Sequence, residues 1–380
     1  MKKIVVSCLL ALSVSQANEL ELDVQAFLNV ALGSSSVSEE ELATHAHDPN
    51  QNFSLQGFEL DFNARWNEQL RLNFRTNSFL SLEDELESEV EEAFIEWVGL
   101  PLGAELKAGR FLPLLGNINH VHVHGWDFVN QTLINTQFLG EEGLLLDGAQ
   151  LSTKTQLGGS SFGLSLAYGS VVEHDHGHEE EGDDHGHGAE NANFNANSGV
   201  FSAQLAWDYA YSDAHQYQWL VSGAFGENGY RDDRDSWLLA SDIKYSYDSN
   251  GYEDGGKKIE LLGSWYYREV EWAHEEDDDP FGSSGHIGLG AGINYSWNPA
   301  WKASARVDYI EGLSEGYVAA EDEFGVEIDE RTRYSLALTR YLNFSNDQAG
   351  LIRLQGDVDE LASGEQEQSV WLQFGWSWAN

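Results

Sequence analysis

Apolar and polar side chains alternate along most of this chain. In the first such segment Leu20, Leu22 and Val24 lie on one face, and Glu21 and Asp23 lie on the other. Strict alternation over about ten residues indicates β-strands with one apolar and one polar face. We expect sixteen strands, over residues 20–33, 53–66, 70–82, 88–100, 104–115, 144–155, 160–172, 198–212, 215–228, 236–249, 257–272, 286–298, 301–313, 331–344, 349–360 and 367–379.

The apolar faces are rich in Trp and Tyr, whereas the polar faces carry small or charged residues. In one segment Ile287, Leu289 and Tyr295 alternate with Gly288 and Gly290. A soluble sheet buries its apolar face, and sixteen soluble strands would need more inward-facing bulk than these glycine-rich faces provide. A transmembrane barrel has the reverse arrangement, with apolar residues toward lipid and polar residues toward the lumen. The pattern therefore predicts an all-β fold, a transmembrane antiparallel β-barrel of about sixteen strands.

The connections between the predicted strands alternate in length. Those after even-numbered strands include 67–69 and 101–103, and those after odd-numbered strands include 34–52, 116–143 and 173–197. Outer-membrane barrels have short periplasmic turns and longer external loops. We therefore expect both termini in the periplasm and residues 116–143 as the third external loop.

The first residues are predicted to be an export signal. Two lysines precede a short apolar run, and small residues occupy the −3 and −1 positions before Asn18. This arrangement is typical of a secretory signal peptide. We expect a signal peptide at 1–17 and a barrel at 18–380, located in the outer membrane of a Gram-negative bacterium.

Composition and charge exclude several functions. The 380 residues include 20 Lys and Arg against 64 Asp and Glu, which gives a formal net charge of −44 and repels nucleic acid. The single cysteine, Cys8, lies in the predicted signal peptide, so neither a disulfide nor a cysteine-rich zinc site is expected. We find no nucleophile-elbow motif and expect neither catalytic residues nor an enzyme.

Charged residues of both signs occupy the polar faces of the predicted strands. A barrel of this size leaves an aqueous lumen, and charges on its wall confer selectivity. Opposite charges on neighbouring strands also stabilise a wall, and both interpretations stay open. The residues expected to line the pore are Glu59, Asp61, Arg65, Arg71, Arg75, Asp242, Lys244, Arg306 and Asp308.

Most of the excess acid lies in the predicted external loops. Acidic loops concentrate cations at a pore mouth. They also bind surface lipopolysaccharide through divalent ions, and the two roles do not exclude each other.

Histidines are concentrated in the same predicted loops. Imidazole and carboxylate groups are ligands for zinc, nickel and copper, and histidine-rich tracts of this kind indicate metal binding. The expected metal ligands are His120, His122 and His124 in the third loop and His174, His176, His178, His185 and His187 in the fourth. The alternatives are hydrogen bonding to acids in a folded third loop, and a solvated fourth loop with incidental metal affinity.

The three histidines of the third loop alternate with other residues. If the segment is extended, their imidazoles share one face at a spacing of about 7 Å, and two of them can meet at one zinc ion. Asp127, Glu141 and Glu142 are close enough in sequence to complete such a site. His45 and His47 form a smaller pair in the first external loop.

Two short segments around the third loop carry a family resemblance. Residues 109–113 read Gly-Arg-Phe-Leu-Pro, and residues 138–144 read Phe-Leu-Gly-Glu-Glu-Gly-Leu. They resemble porin-like outer-membrane proteins related to the phosphate-selective porins, and the histidine-rich loops are similar to the zinc-linked members of that group. The motifs cover only residues 109–148. The resemblance implies solute passage through a sixteen-stranded channel, but the acidic loops argue against phosphate as the solute.

These patterns favour a channel for passive uptake of small solutes, with zinc as the divalent transition metal collected by the external loops. The alternative is a general cation-preferring or organic-solute porin whose histidines are incidental.

In sixteen-stranded porins the third external loop folds inward and narrows the pore, so we expect the same of residues 116–143. The expected partners are outer-membrane lipids, lipopolysaccharide and the barrel assembly machinery. The oligomeric state stays open, with a homotrimer among the alternatives.

Overall fold

Sixteen antiparallel strands form a closed barrel. The computed structural model describes residues 20–36, 46–49, 52–81, 85–140, 142–172, 199–228, 234–251, 255–273, 281–312, 318–319, 322–323 and 330–380. The barrel strands are β1 (Leu20–Ser35), β2 (Phe53–Trp66), β3 (Leu70–Leu80), β4 (Leu86–Leu100), β5 (Ala104–Phe111), β6 (Leu146–Leu157), β7 (Ser160–Val171), β8 (Gly199–Ser212), β9 (His215–Glu227), β10 (Asp235–Asp248), β11 (Lys258–Ala273), β12 (Phe281–Asn298), β13 (Trp301–Gly312), β14 (Arg331–Ser345), β15 (Gln348–Leu361) and β16 (Gln366–Ala379). Each strand pairs with its neighbours in sequence, and β1 pairs with β16 to close the barrel. The predicted fold class is confirmed.

Strand β5 is shorter than the sequence pattern predicted. It ends at Phe111, whereas alternation suggested residues 104–115. The backbone N–H of Leu112 donates to the Glu92 side-chain carboxylate of β4 at 3.2 Å instead of to a backbone carbonyl. Pro113 follows and has no N–H to continue a ladder. The chain therefore leaves the wall here.

The apolar and polar faces point as the pattern predicted. In β2, Phe58 and Phe62 are exposed on the outer surface, whereas Glu59 and Asp61 are buried on the inner side. This inside-out distribution is typical of a barrel surrounded by lipid. No helix in the described part of the chain is long and apolar enough to span a membrane.

The short connections, the start of β1 and the C-terminus share one end of the barrel. Residues 213–214 and 299–300 are two-residue turns at that end, and the backbone N–H of Asn380 donates to the Val24 carbonyl at 3.2 Å. The longest connection that the structure describes, residues 112–145, is at the other end. A short hairpin, Val318–Ala319 with Asp322–Glu323, lies in the connection between β13 and β14, at the same end as residues 112–145. The periplasmic orientation of the termini stays a prediction.

The connection 112–145, here called the inner loop, contains its own secondary structure. A 3-10 turn spans Val123–Gly125, and a short helix, α1, spans Leu133–Leu139. The Thr132 hydroxyl accepts the Asn135 N–H at 3.1 Å, which caps the first turn of α1. Gly140 ends the helix with a φ of 102°, a conformation that favours glycine.

Helix α1 packs against the inner face of the barrel. Ile134 and Phe138 are buried together with Tyr266 of β11 in one apolar cluster. A Cβ added at Gly288 would lie 3.0 Å from the Phe138 ring, and one added at Gly290 would lie 3.1 Å from Ile134. The glycine-rich face of β12 therefore leaves space for the helix.

Replacing Gly288 with valine is expected to displace α1. The added side chain would overpack the contact with Phe138 and cost about 1–3 kcal/mol of stability. A lower thermal unfolding midpoint, together with a larger single-channel conductance in planar bilayers, would measure this effect.

The matched control is Gly292→Val on the same face of the same strand. There the nearest atoms to an added Cβ lie at 3.5 Å, which is an ordinary contact. Equal changes in both variants would show that α1 does not depend on the glycine at position 288.

Candidate functional site

Side chains of the barrel wall hold the inner loop inside the lumen. The Arg353 guanidinium of β15 donates to the carbonyls of Phe128 and Trp126, both at 2.8 Å. The Val129 N–H donates to the Gln355 side chain at 2.6 Å. These bonds satisfy peptide groups that have left the sheet, as buried backbone requires. The loop is therefore fixed across the lumen, as expected for the third external loop.

Asp127 belongs to this attachment and not to a histidine site. It pairs with the Lys302 ammonium and accepts a bond from Asn294 at 2.6 Å. Burial raises the pKa of Asp127, but the opposite effect of Lys302 and Asn294 is larger, so the pKa lies below its ordinary value. The sequence had suggested Asp127 as a partner for the loop histidines. The structure instead places it against β12 and β13.

On the opposite side of the loop, imidazoles meet carboxylates from β2 and β4. His124 Nδ1 lies 2.6 Å from Glu59 Oε2. His122 lies between two glutamates, with Nδ1 3.2 Å from Glu91 Oε2 and Nε2 3.2 Å from Glu92 Oε2. All three carboxylates are buried. The described structure thus brings two of the predicted histidines to acids on the wall.

A histidine from the first external loop joins the same group. His47 is buried, with its Nε2 3.5 Å from Glu89 Oε1 and 3.8 Å from Glu91 Oε1. A void of about 30 Å³ lies beside these side chains. We call this group the imidazole–carboxylate cluster, and its members are His47, Glu59, Glu89, Glu91, Glu92, His122 and His124.

Two imidazoles of the cluster, those of His47 and His122, have strongly raised pKa values. Burial lowers the pKa of His122, but Glu91 and Glu92 outweigh this and raise it to about 10. Burial likewise lowers the pKa of His47, and Glu89 and Glu91 raise it to about 9. Without a bound cation, both rings therefore carry a proton at neutral pH and pair with the acids.

His120 lies apart from the cluster. The 3-10 turn at Val123–Gly125 interrupts the extended conformation that the sequence suggested. The rings of His122 and His124 are parallel at 6.1 Å, whereas His120 faces a cavity of about 420 Å³ on another side of the loop. The three imidazoles therefore do not share one face.

Several of the expected metal ligands lie outside the described residues. They are His174, His176, His178, His185 and His187 of the fourth loop, with His45 and Glu141. Their role in metal binding stays a prediction.

The glutamates of β4 were missed because the sequence breaks the alternation there. Arg75 pairs with Glu92 and Thr76 with Val90, so Glu91 is an extra residue in β4. Such a bulge re-aims side chains, and it directs the consecutive Glu91 and Glu92 to the same buried side. The doubled acid after Val90 was the available signal.

The residues predicted to line the pore mostly pair with neighbours. Asp61 and Arg75 form an ion pair at 2.5 Å, and Arg306 lies 3.0 Å from Asp308. Near the short-turn end, Arg65 lies 3.5 Å from Glu21 and Arg71 lies 3.1 Å from Glu96. Asp242 accepts from Ser264 at 2.6 Å, and Lys244 lies 2.9 Å from Glu260. Ion pairs between neighbouring strands are thus present for Asp61, Arg65, Arg71, Arg75 and Lys244. Arg306 and Asp308 pair within β13, and Asp242 bonds to a serine hydroxyl. The effect of these residues on solute selection stays a prediction.

Open space lies between the inner loop and the wall from β6 to β13. Three cavities of about 280, 420 and 630 Å³ lie there, and Gln218 lines all of them. Lys244 and Asp208 each line two. The shared residues show that the cavities adjoin one another, on the side of the lumen away from the cluster.

Sequence comparisons identify no family for this chain. No family model matches the chain. A stretch of 65 residues is 43% identical to an uncharacterized protein of Aquifex aeolicus, covering 17% of this chain and 14% of that protein.

Three solved structures share the architecture over nearly the whole chain. The anion-selective porin of Comamonas acidovorans has a TM-score of 0.57 at 11% identity, covering 95% of this chain and 100% of that one. The outer-membrane channel DcaP of Acinetobacter baumannii has a TM-score of 0.55 at 8% identity, covering 96% and 99%. OmpT of Vibrio cholerae, in trimer form, has a TM-score of 0.53 at 11% identity, covering 96% and 100%. At these identities the likeness establishes the barrel fold, and it does not extend to phosphate selectivity or to a zinc-linked group.

The cluster predicts a pH-dependent attachment of the inner loop. The pKa values of His47 and His122 are higher in the folded protein than the ordinary value of 6.5. Their ion pairs therefore stabilise the folded protein fully below pH 6.5. This stabilisation is lost as the pH rises through about 9 for His47 and about 10 for His122. The destabilisation caused by His122→Gln, measured as a thermal midpoint in chelator-treated protein, is expected to shrink between pH 6.5 and 10.5. His120→Gln is the control. A difference that stays constant over this range would contradict the ion-pair account.

Proposed function

We propose that this protein is a porin-like channel for passive diffusion of small solutes across the outer membrane of a Gram-negative bacterium. The observation that supports it most is a closed sixteen-stranded barrel in which the inner loop leaves adjoining cavities along one side. Barrels of this size enclose an aqueous path. Under this proposal the chain is not an enzyme and has no catalytic residues.

The solute we propose is a divalent transition metal, with zinc as the first choice. The formal net charge of −44 and the acidic external loops would concentrate cations at the pore mouth. The histidine tract of the fourth loop would act as a collecting surface, since imidazole and carboxylate bind zinc.

A polar organic solute is the alternative. The cavity beside β12 and β13 is lined by Lys244 and Arg306 as well as by Asp308. Charges of both signs suit a small solute that itself carries both signs, and the histidines would then be incidental.

The proposed assembly follows from the same architecture. Outer-membrane lipids would surround the apolar exterior, lipopolysaccharide would contact the acidic loops, and the barrel assembly machinery would insert the chain after removal of residues 1–17. The short-turn end would face the periplasm. A homotrimer is proposed because the similar OmpT of Vibrio cholerae was solved in trimer form.

Reconstitution in planar bilayers tests the channel. We expect discrete conductance steps and a cation preference at low salt, because the Debye length of about 30 Å at 0.01 M lets the loop charges act across the pore mouth. The preference should fade at 1 M, where that length is about 3 Å. Absence of conductance would exclude the channel, and an anion preference at low salt would exclude zinc and indicate control by the inward arginines.

Deletion of residues 174–187 separates zinc collection from permeation. Zinc capture by intact cells is expected to fall, while single-channel conductance stays near that of the parent because the inner loop is unchanged. An equal-length replacement by Gly and Ser is the control for loop length. Unchanged zinc capture in both variants would favour the organic-solute alternative.

A further inference from the structure

We propose that the protein holds one divalent transition-metal ion where the first external loop meets β4, with His47, Glu89 and Glu91 as ligands. These residues are distinct from the histidines that the proposed function uses for zinc collection. The site therefore stands whether or not metal is the transported solute.

The donor atoms have the spacing of a metal site. Each zinc–ligand bond is about 2.1 Å, so neighbouring ligand atoms on a tetrahedron lie about 3.4 Å apart. His47 Nε2 lies 3.5 Å from Glu89 Oε1 and 3.8 Å from Glu91 Oε1. Both distances exceed the usual N–H···O length of about 2.9 Å. All three donor atoms lie within 4.8 Å of one another.

The void beside these ligands has room for an ion or its water. Its volume of about 30 Å³ exceeds the ~10–15 Å³ that one water needs. The Asn135 side chain also lines the void, is only 2% exposed, and has a buried Oδ1 without a hydrogen-bond donor in the described structure. This oxygen is placed to accept from a water on the metal, or to bind the metal itself.

The charge of the cluster also favours a cation. Five carboxylates meet here, from Asp61 of the wall pair and the four glutamates of the imidazole–carboxylate cluster, and all but the partly buried Glu89 are buried. Against them the described cluster offers the Arg75 guanidinium and three imidazoles. Five negative groups thus exceed four positive ones even if every imidazole is charged, and Glu142 near His47 and Lys107 near Glu92 add one charge of each sign. Burying unbalanced charge is costly. Because imidazole binds metal in its neutral form, His47 as a ligand raises the excess to two negative charges, which a divalent ion balances.

The ligand set selects the class of metal. Imidazole suits zinc, cobalt and similar transition ions, whereas calcium and magnesium prefer oxygen ligands alone. His122 is not one of the three ligands, but it supports the metal site by holding a ligand in place. It contacts the second oxygen of Glu91, and Glu92 holds its other nitrogen at 3.2 Å, so it fixes the orientation of Glu91.

The ion would join three parts of the barrel. His47 belongs to the first-loop segment 46–49, and the neighbouring Asp48 carboxylate accepts the Gln131 N–H of the inner loop at 2.7 Å. Glu89 and Glu91 belong to β4, and Glu91 contacts His122 of the inner loop. Metal at this junction would fix both loops to the wall. We therefore expect the ion to stabilise the folded protein.

Metal titration of the full-length detergent-solubilised protein tests the site. The parent is a variant in which His174, His176, His178, His185 and His187 are alanine, so that the fourth-loop tract does not contribute. Cobalt absorption and zinc competition against a chelator should give one ion per chain. We expect His47→Ala and Glu91→Gln each to weaken zinc binding at least 100-fold, and His120→Ala to leave it unchanged.

Heat-modifiable migration in gels shows whether each variant is folded. Zinc should raise the thermal unfolding midpoint of the parent but not that of a folded Glu91→Gln variant. Unchanged affinity in both His47→Ala and Glu91→Gln would overturn the proposal. Loss in Glu91→Gln alone would place the ion in the neighbouring triangle of Glu59, Glu91 and His122 and overturn the assignment to His47. Bilayer conductance is measured separately, so a failed channel would leave this result intact.

Discussion

The structure depends on one constraint, which is that the backbone of the inner loop has left the sheet and still needs hydrogen-bond partners. The wall provides them from arginine and glutamine side chains. Arg353 and Arg306 donate to loop carbonyls on one side, and Gln56 of β2 donates to the Val129 carbonyl at 2.7 Å on the other. A bond to a charged group contributes about 1.5–3 kcal/mol, and an unpaired buried carbonyl costs about 1–3 kcal/mol. The charges on the inner wall therefore have a structural task before any role in selecting solutes.

The two sides of the lumen differ because the wall charges differ. Arginine and lysine from β13 and β15 hold carbonyls and Asp127, whereas glutamates from β2 and β4 hold imidazoles. Three adjoining cavities lie along β6 to β13, where Gly288, Gly290 and Gly292 leave space on the inner face of β12 and α1 makes apolar contacts. Attachment of the loop thus decides where a solute can pass.

The barrel itself could be predicted because alternation and connection length are local properties. All sixteen strands follow the pattern, and only the end of β5 and the start of β12 differ by several residues. The site was less accessible, because its parts come from distant segments. His122 and His124 were identified by composition, but their partners depend on a bulge at Glu91 and on the turn at Val123–Gly125. The doubled acid after Val90 is the sequence signal of the bulge, and the turn has no signal in the alternation. The glycine face of β12 was visible in the sequence, and its meaning became clear only with α1 packed on it.

The most direct test of this account is the accessibility of the two sides of the inner loop. The only cysteine of the chain is Cys8 in the predicted signal peptide, so introduced cysteines report alone. In reconstituted channels, a small charged thiol reagent should react quickly with His120→Cys and change the current, because that position lines an open cavity. It should react slowly, with little change in current, with His122→Cys inside the cluster. Rapid reaction and current block at His122→Cys, with none at His120→Cys, would contradict the account.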